Sequence, residues 1–329
     1  MSVIVLSTGD NPHTIAIQGI LERENVPVFL LDFQQIVNDP PTVQLGFDSD
    51  HPLNFHLENS ILREVSGIFV HHPRLTADAE RGVDEIDRSL WRFAWHNLID
   101  WLEGTFQDSV WVNRPSNSRA ASPTIRQLET ASQVGFLVPP TIFTNSLVHL
   151  SKFSVGSHAI LLKSGPVPGA VPDQHRILAR KIDISTISDT VLSASPCLFQ
   201  RYIEKDYELR VHVVGDEIYS CKIESQTNEH TKVDWRNYDL ANTPHRAIEL
   251  PSTLKKQCFE LVKRLGLNLG ILDLIVTPEG SVYFLECNSQ GSWFWIEQLT
   301  GLPISEAVAG LLTGRLPDQS KMTAARGEK

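Results

Sequence analysis

Two short apolar segments near the end of the chain constrain its fold more than any other feature. Gly270–Thr277 and Val282–Cys287 have the length and residue types of β-strands. The segment between them contains Pro278, Glu279 and Gly280, which are typical turn residues. The two segments therefore predict an antiparallel strand pair. In such a pair the side chains alternate between the two faces, so the pair decides which side chains lie next to each other.

This strand pair carries polar side chains at three informative positions. Asp273 stands inside the first apolar run, while Glu286 and Asn288 occur at the end of the second. Because side chains alternate along a strand, Glu286 and Asn288 project from the same side, and a tight turn brings Asp273 beside them. Magnesium takes oxygen ligands at about 2.0–2.1 Å, and two neighbouring carboxylates repel each other unless a cation lies between them. The triplet therefore predicts a magnesium site; the alternative is a solvent-facing carboxylate beside a turn asparagine.

Charge and composition exclude several classes of protein. The chain has 329 residues and is 41% hydrophobic, which suffices for two or three domains with a substantial core. Its net charge of −10 is concentrated in residues 1–110, which hold 6 basic and 17 acidic side chains, so we predict no nucleic-acid partner. No apolar stretch reaches the roughly 18 residues that span a bilayer, and no basic leader precedes the first strand. With four scattered cysteines that form no Cys-x-x-Cys pair, this predicts a cytoplasmic protein with reduced thiols and no membrane partner.

The first third of the chain has the pattern of a small α/β unit. Apolar runs at Val3–Leu6 and Val28–Leu31 flank a helix that opens at Asn11 and Pro12. Such a βαβ unit makes its two strands parallel and buried. The loop after the first strand has one glycine and lacks G-x-G-x-x-G, so no nucleotide is expected there.

A long amphipathic helix is predicted over residues 83–106, between strands at 67–70 and 110–113. Its apolar positions share one face that we expect to pack against the core: Ile86, Leu90, Phe93, Ala94, Leu98, Trp101 and Leu102. The polar stretch 113–118 then predicts a domain boundary. Beyond it, helices are predicted at about 122–135, 254–265 and 304–312, and short strands at 159–163, 177–182, 197–203, 209–214 and 217–223.

Asp273 with Glu286-x-Asn288 resembles the metal motif of the ATP-grasp ligases, and the likeness extends over nearly the whole chain. The resemblance implies ATP and Mg²⁺ as cofactors. It also implies a fold of mixed α/β and α+β class, in which a small N-terminal α/β pre-ATP-grasp domain precedes a two-subdomain ATP-grasp fold. The implied divisions are 1–115 for the pre-ATP-grasp domain, 116–195 for the central subdomain, 196–316 for the C-terminal subdomain and 317–329 for a flexible tail.

Residues 198–211 are similar to the hinge segment of that fold. The resemblance implies that adenine lies against the backbone of four residues, Gln200, Arg201, Tyr202 and Ile203. It places Glu208 at the ribose, and Arg210 and Lys163 at the phosphates. The segment 164–169, which follows Lys163, is similar to a mobile loop that covers the phosphates.

Within the superfamily, the chain most resembles the ligases that modify the precursor peptides of microviridins and other graspetides. The likeness rests on Trp111–Arg119, Gln127-Leu128, Val138–Thr141, Lys222–Gln226 and Asp234–Arg236. It implies a homodimer, a catalytic set of Arg210, Lys222 and Arg236, and a precursor peptide with a leader and an acidic, Thr-rich core as partner. Asp or Glu side chains of that core would be phosphorylated by ATP and joined to Thr, Ser or Lys side chains as ester or amide macrocycles.

The residues leave alternatives open. An amino-acid ligase that adds glutamate or another amino acid to a peptide or metabolite would use the same motifs. A non-catalytic nucleotide-binding scaffold is the third possibility, because many relatives carry a phosphate-binding lysine where this chain has Thr124. Lys163 has the alternative of a solvated edge lysine, and Lys222 and Arg236 have that of surface ion pairs.

Two aromatic clusters are also ambiguous. His71 and His72 are adjacent and would point to opposite faces of a strand, so we favour a structural or partner-contact role over a metal site. Trp293, Phe294 and Trp295 either line an acceptor pocket or belong to the core.

Overall fold

A computed structural model of the chain describes residues 1–36, 39–48, 51–57, 60–62, 64–73, 85–163, 180–227 and 243–315. Its strands are β1 (Ser2–Ser7), β2 (Val28–Asp32), β3 (Val43–Asp48), β4 (His51–Leu57), β5 (Ser60–Leu62), β6 (Val65–Val70), β7 (Val110–Val112), β8 (Thr141–Thr144), β9 (Ile160–Lys163), β10 (Arg180–Ile182), β11 (Cys197–Arg201), β12 (Tyr207–Val214), β13 (Glu217–Ile223), β14 (His245–Ala247), β15 (Leu269–Val276) and β16 (Val282–Asn288). Its α-helices are α1 (Pro12–Arg23), α2 (Glu85–Thr105), α3 (Pro115–Ala121), α4 (Thr124–Gln133), α5 (Leu147–Ser154), α6 (Asp189–Ala194), α7 (Ser252–Arg264), α8 (Phe294–Thr300) and α9 (Ile304–Thr313). Within these ranges, every helix is too short or too polar to cross a bilayer.

The N-terminal sheet has the strand order β2-β1-β6-β7, and its pairings are parallel. All of β1 is buried, as expected for a strand covered on both faces. The Asn11 side chain caps α1 by accepting a hydrogen bond from the His13 N–H, and Pro12 occupies the first turn. The predicted βαβ unit is therefore confirmed.

Helix α2 lies within the predicted range 83–106, but the predicted core face is partly wrong. Leu98 and Leu102 are buried, whereas Leu90 and Phe93 are each 65% exposed and Trp101 is 57% exposed. The core contact lies about one residue further round the helix, where Ile99 is buried. The unpredicted antiparallel sheet β3-β4-β5 contributes Phe55, Leu57 and Leu62 to the same core cluster as Leu98, Ile99 and Leu102.

The polar stretch 113–118 is folded into the protein, and the domain boundary predicted there stays a prediction. Asn113 is buried, with 1% of its surface exposed, and α3 begins at Pro115. The reason is that the Asn113 side chain hydrogen-bonds to distant backbone groups, so the polar residue is satisfied inside the protein.

The central sheet is antiparallel, with the order β10-β9-β11-β8. Strand β11 begins at Cys197, beyond the predicted start of the C-terminal subdomain at residue 196, yet it lies between β9 and β8. A division between residues 195 and 196 would therefore cut this sheet. The full domain division stays a prediction.

The C-terminal sheet has the order β14-β13-β12-β15-β16 and separates two hydrophobic clusters. One face carries Cys221, Ile223 and Ile271 and packs against the N-terminal sheet and helix α9. The other face carries Leu209 and Leu274 and packs against α4 and α7. This separation decides which polar side chains of the sheet can meet.

Candidate active site

The strand pair β15–β16 brings the predicted metal ligands together. Asp273 is the direct partner of Glu286, and Asn288 pairs with Ile271. Partners on neighbouring strands share a face, and residues 271 and 273 share a face because they are two apart. All three polar side chains therefore leave the same side of the sheet. A register shift follows Asp273, so that the strand bulges next to the site.

Two cations reach these carboxylates from other strands. Arg210 of β12 donates through Nη1 to Asp273 Oδ1 at 2.7 Å, and both side chains are buried. Lys163, at the end of β9 in the central sheet, places its Nζ 3.8 Å from Glu286 Oε2. Asn288 Nδ2 donates to Glu286 Oε1 at 3.3 Å. The structure thus gathers these five predicted residues into one cluster, where strands of the central and C-terminal sheets meet.

The donor set of this cluster suits magnesium. Among the described residues, no group of three or more His, Cys, Asp or Glu side chains is arranged to hold a metal ion. A metal beside Asp273 and Glu286 would need the Asn288 amide oxygen, water and phosphate oxygens to complete its shell. Magnesium is usually bound in this way by one or two carboxylates, whereas zinc prefers closed Cys and His sites.

The predicted hinge residues lie at and after the end of β11. Gln200 is buried, and its Nε2 donates to Thr141 Oγ1 at 2.9 Å. The backbone N–H groups of Arg201 and Tyr202 donate to Pro140 O at 2.9 Å and to Ala159 O at 3.0 Å. The Arg201 guanidinium donates to Phe153 O at 2.8 Å, so it anchors α5. Lys181 Nζ lies 3.9 Å from the centre of the Tyr202 ring, and Ile203 is half-buried.

Glu208 forms a buried ion pair close to this hinge. Its Oε1 accepts a hydrogen bond from Lys205 Nζ at 2.7 Å, and both side chains are 4% exposed. Burial raises the pKa of Glu208, and the Lys205 ammonium and a hydrogen bond from Ser225 offset part of that rise. Because Glu208 and Arg210 are two apart on β12, they share the face that carries Asp273.

Lys222 does not join this cluster. It pairs with Leu209 in the β12–β13 register, so its side chain leaves the sheet on the face opposite Arg210. There it forms an ion pair with Glu224 at 3.0 Å and lies 3.9 Å from the centre of the Tyr207 ring. Its catalytic role stays a prediction, as does that of Arg236. Arg236 and the segment 164–169 lie outside the described residues.

Two buried side-chain amides hold the end of strand β16, a role that the sequence analysis did not predict. Gln127 of α4 accepts from the Cys287 N–H and donates to the Cys287 carbonyl, both at 2.9 Å. Asn113 donates to Ser289 O at 2.7 Å and to Leu269 O at 2.8 Å. The amides therefore fix the backbone on both sides of Asn288. In the sequence, the Gln127-Leu128 pair contributes only to the family resemblance, because a sequence pattern does not show which strand a helix faces.

Two histidines, one in the first turn of α1 and one directly after β6, pack beside the cluster. The ring of His13 lies 4.5 Å from that of His71 and 4.1 Å from that of Trp293, measured between centres. Burial lowers the pKa of His13 to about 4 and that of His71 to about 2, so both rings are neutral near pH 7. Trp293 is fully buried, which assigns it to the core, while Trp295 is half-buried with its ring centre 5.9 Å from Arg210 Cζ.

A cavity of about 830 Å³ lies at the other end of β12, where Val213, Asp216, Lys256 and Phe259 are among its lining residues. None of the predicted site residues lines it. The charged cluster is therefore the candidate site, because it combines two cations with carboxylate and amide oxygens.

Comparison with known proteins gives matches among solved structures. No family model and no curated protein matches the sequence. An ATP-grasp ligase associated with ribosomally made, modified peptides from Chryseobacterium gregarium, solved with ADP and with a leader and core peptide, has a TM-score of 0.84 at 24% identity. That match covers 96% of this chain and 98% of the other. The chain has the fold of the peptide-modifying ATP-grasp ligases.

Two further matches have the same ATP-grasp fold. The macrocyclase MdnC from Microcystis aeruginosa, bound to its precursor peptide MdnA, has a TM-score of 0.78 at 25% identity, over 95% of this chain and 99% of MdnC. The ATP-grasp ligase PsnB, solved with a precursor variant, Mg and ADP, has a TM-score of 0.74 at 20% identity, over 95% of this chain and 98% of PsnB. The mixed α/β fold and the resemblance to ATP-grasp ligases of peptide maturation are thereby confirmed.

Proposed function

We propose that this chain is an ATP-dependent ligase that phosphorylates Asp or Glu side chains of a ribosomal precursor peptide and closes ester or amide macrocycles with Thr, Ser or Lys side chains. The observation that carries the proposal is the convergence of Asp273, Glu286, Asn288, Lys163 and Arg210 at one place in an ATP-grasp fold. The full-length likeness to ligases that were solved with leader, core or precursor peptides supports the choice of substrate.

Each site residue has a role in this proposal. Asp273, Glu286 and Asn288 hold Mg²⁺, which would neutralise charge on the triphosphate when bound. Lys163 and Arg210 bind the transferred phosphoryl group. Adenine lies against the backbone of the hinge residues, namely Gln200, Arg201, Tyr202 and Ile203. Glu208 accepts hydrogen bonds from the ribose, which its position on the face of Arg210 permits.

The reaction proceeds in two steps. A carboxylate oxygen of the peptide attacks the γ-phosphorus of ATP, the bond to the β-phosphate oxygen breaks, and ADP leaves. The resulting acyl phosphate is then attacked by a hydroxyl or amine, which loses a proton as inorganic phosphate departs. Because ATP supplies the leaving group, the protein needs no nucleophile of its own and contributes positioning and positive charge.

The partners follow from the same proposal. The precursor peptide supplies both the carboxylate and the nucleophile, and the acidic N-terminal region and the central sheet share in holding its leader. Free Cys197, Cys221, Cys258 and Cys287 support a reducing, cytoplasmic environment. We include the homodimer and the absence of a nucleic-acid partner in the proposal. Light scattering after gel filtration and a nucleic-acid binding assay test these two points.

The decisive assay combines the protein, ATP, Mg²⁺ and a candidate precursor. We expect ADP to accumulate and the peptide to become lighter by one water per bond formed, as read by mass spectrometry. The Glu286→Gln variant, which removes a metal ligand, should give neither. A peptide or metabolite that gains the mass of an amino acid would support the amino-acid ligase instead. Bound ATP without any ADP would support a non-catalytic scaffold.

A further inference from the structure

The loop 289–293, between β16 and α8, provides a second hydrogen-bond acceptor for the Arg210 guanidinium, in addition to Asp273. The carbonyl of Ser292 accepts a hydrogen bond from Arg210 Nη2 at 2.9 Å, while Nη1 of the same guanidinium binds Asp273. The loop packs closely here, because a Cβ added at Gly291 would lie 3.3 Å from Arg210 Nη2 and 3.0 Å from Asn288 Cβ. The position of Ser292 therefore sets the orientation of the guanidinium that we assign to the transferred phosphoryl group.

This loop is held by the N-terminal part of the chain. Asn113 Nδ2 donates to Ser289 O at 2.7 Å, and the His72 N–H donates to Gln290 Oε1 at 3.3 Å. The Nε2 atom of His13, in the first turn of α1, forms a 3.1 Å hydrogen bond with Ser292 Oγ. Of these contacts, the His13 bond reaches the residue whose carbonyl binds Arg210.

The choice of histidine at position 13 needs a reason. The side chain is 3% exposed and packs on Trp293 and His71, a place that a leucine or phenylalanine would fill. Within the described part of the chain, its Nδ1 atom has no hydrogen-bond partner, so the imidazole carries a desolvation cost that an apolar residue would avoid. The histidine forms a hydrogen bond to Ser292, which leucine or phenylalanine at this position could not form. Because the ring is neutral near pH 7, it adds no positive charge beside Arg210.

We propose that His13 is a positioning residue: through Ser292 it fixes the guanidinium of Arg210, and it thereby couples the N-terminal sheet to phosphoryl transfer. This inference rests on the proposed function, because it uses the role assigned there to Arg210. Loss of the His13–Ser292 bond would let the Ser292 carbonyl and the guanidinium shift. Arg210 would then stabilise the transition state less well, while the other contacts of ATP would remain.

The test compares four variants: His13→Leu, Ser292→Ala, the double variant and His13→Gln. We measure kcat and KM for ATP in ADP formation with a precursor peptide. Each of the first two should lower kcat about tenfold and change KM for ATP by less than about twofold, which is the signature of a contact made in the transition state. The double variant should lose no more than either single variant, because both remove the same bond. Glutamine can place a donor near the Nε2 position, so His13→Gln should retain most of the activity.

Three outcomes would overturn the proposal: an unchanged kcat in His13→Leu, losses that multiply in the double variant, or a lower melting temperature with normal kcat per folded molecule. His149→Leu, which changes an exposed histidine on α5, serves as the control and should behave like the wild type. If the wild type itself forms no ADP, the proposed function fails. The crystal structure of His13→Leu then decides the inference separately, since an Arg210–Ser292 distance that stays at 2.9 Å would refute it.

Discussion

Strands β1 and β15 are both buried from end to end, yet they serve different purposes. The interior of β1, Val3–Leu6, is entirely apolar, whereas β15 contains Asp273 among its apolar residues. A buried ion pair such as Asp273–Arg210 contributes little net stability, because an apolar pair of similar volume is often neutral or about 1–4 kcal/mol more favourable. The apolar interior of β1 therefore serves packing, whereas β15 carries a buried charge at the proposed site.

Neutralising Asp273 of β15 should have the largest effect on activity. In Asp273→Asn the side chain keeps its shape and still accepts a hydrogen bond from Arg210, but one metal-binding charge is lost. We expect kcat for ADP formation per folded molecule to fall about 10³-fold, because charge stabilisation is a large term in phosphoryl transfer. The melting temperature should fall as well, because the buried Arg210 guanidinium loses its charged partner. A loss of less than about tenfold would contradict the assigned role.

A substitution in the apolar interior of β1 should lower stability and leave activity per folded molecule unchanged. Leu6→Ala removes a fully buried side chain from the N-terminal sheet and leaves a cavity. We expect the free energy of unfolding to fall by about 2–5 kcal/mol. ADP formation per folded molecule should stay within about twofold of the wild type. Urea unfolding and the ADP assay check the two halves; a large fall in kcat at full folding would erase the distinction between the strands.

A third test asks whether the Gln127 amide, which holds the backbone of β16 at Cys287, affects Mg²⁺ binding at the proposed ligands. Gln127→Met keeps a similar side-chain volume but removes both hydrogen bonds to the Cys287 backbone. The control, Gln133→Met, makes the same change at an exposed glutamine on the same helix. Partners of metal ligands commonly contribute 10- to 100-fold to metal affinity, so the Mg²⁺ concentration for half-maximal ADP formation should rise by about that factor in the first variant alone. An equal Mg²⁺ dependence in both variants would show that Gln127 serves packing.

The histidines between the two sheets predict a dependence of stability on pH. Burial lowers the pKa of His13 to about 4 and that of His71 to about 2, whereas unfolded histidine ionises near pH 6.5. Below about pH 6.5 the unfolded chain therefore binds more protons, and stability falls as the pH falls, by at most about 1.4 kcal/mol per pH unit for each histidine. Urea unfolding at about pH 7.5 and about pH 5 should show a smaller loss in His13→Leu than in the wild type. An identical loss would mean that His13 is not neutral in the fold.

The smallest expected effect is that of a substitution on the exposed face of α2. Phe93→Ala changes an exposed side chain and should alter the free energy of unfolding by no more than about 0.5 kcal/mol. Leu98→Ala, on the buried face of the same helix, should cost about 2–5 kcal/mol. Thermal unfolding of the pair measures both; a large loss for Phe93→Ala would mean that this side chain is covered, for example in a dimer.

The sequence predicted what local pattern controls. Period-two alternation placed Glu286 and Asn288 on one face, and the short turn between the two strands predicted that Asp273 lies beside them. The βαβ pattern predicted at the N-terminus is also confirmed. Predicting the face of Lys222 relative to Arg210 would have needed the register between β12 and β13. That register places Lys222 on the face opposite Arg210. That register depends on turns and on the packing of the whole sheet, so it was not available from the sequence.

Long-range polar contacts were beyond the sequence for a related reason. In the sequence, Asn113 contributes to a predicted domain boundary and Gln127 to a family resemblance, yet their hydrogen-bond partners lie more than a hundred residues away. The exposed residues of α2 were assigned to the core because periodicity reports which residues share a face and not where the core contact is centred. The sheet β3-β4-β5 was missed, since its strands contain a proline and several polar residues.

We propose that Asp273, Glu286 and Asn288 share one divalent ion beside the phosphates of the nucleotide. A crystal structure of the protein with ADP and Mg²⁺ would locate that ion. We expect a metal bonded to oxygens of these side chains and of the phosphates at about 2.0–2.1 Å, with Arg210 and Lys163 facing the same phosphates. A metal held elsewhere, or a nucleotide bound away from β15 and β16, would contradict it.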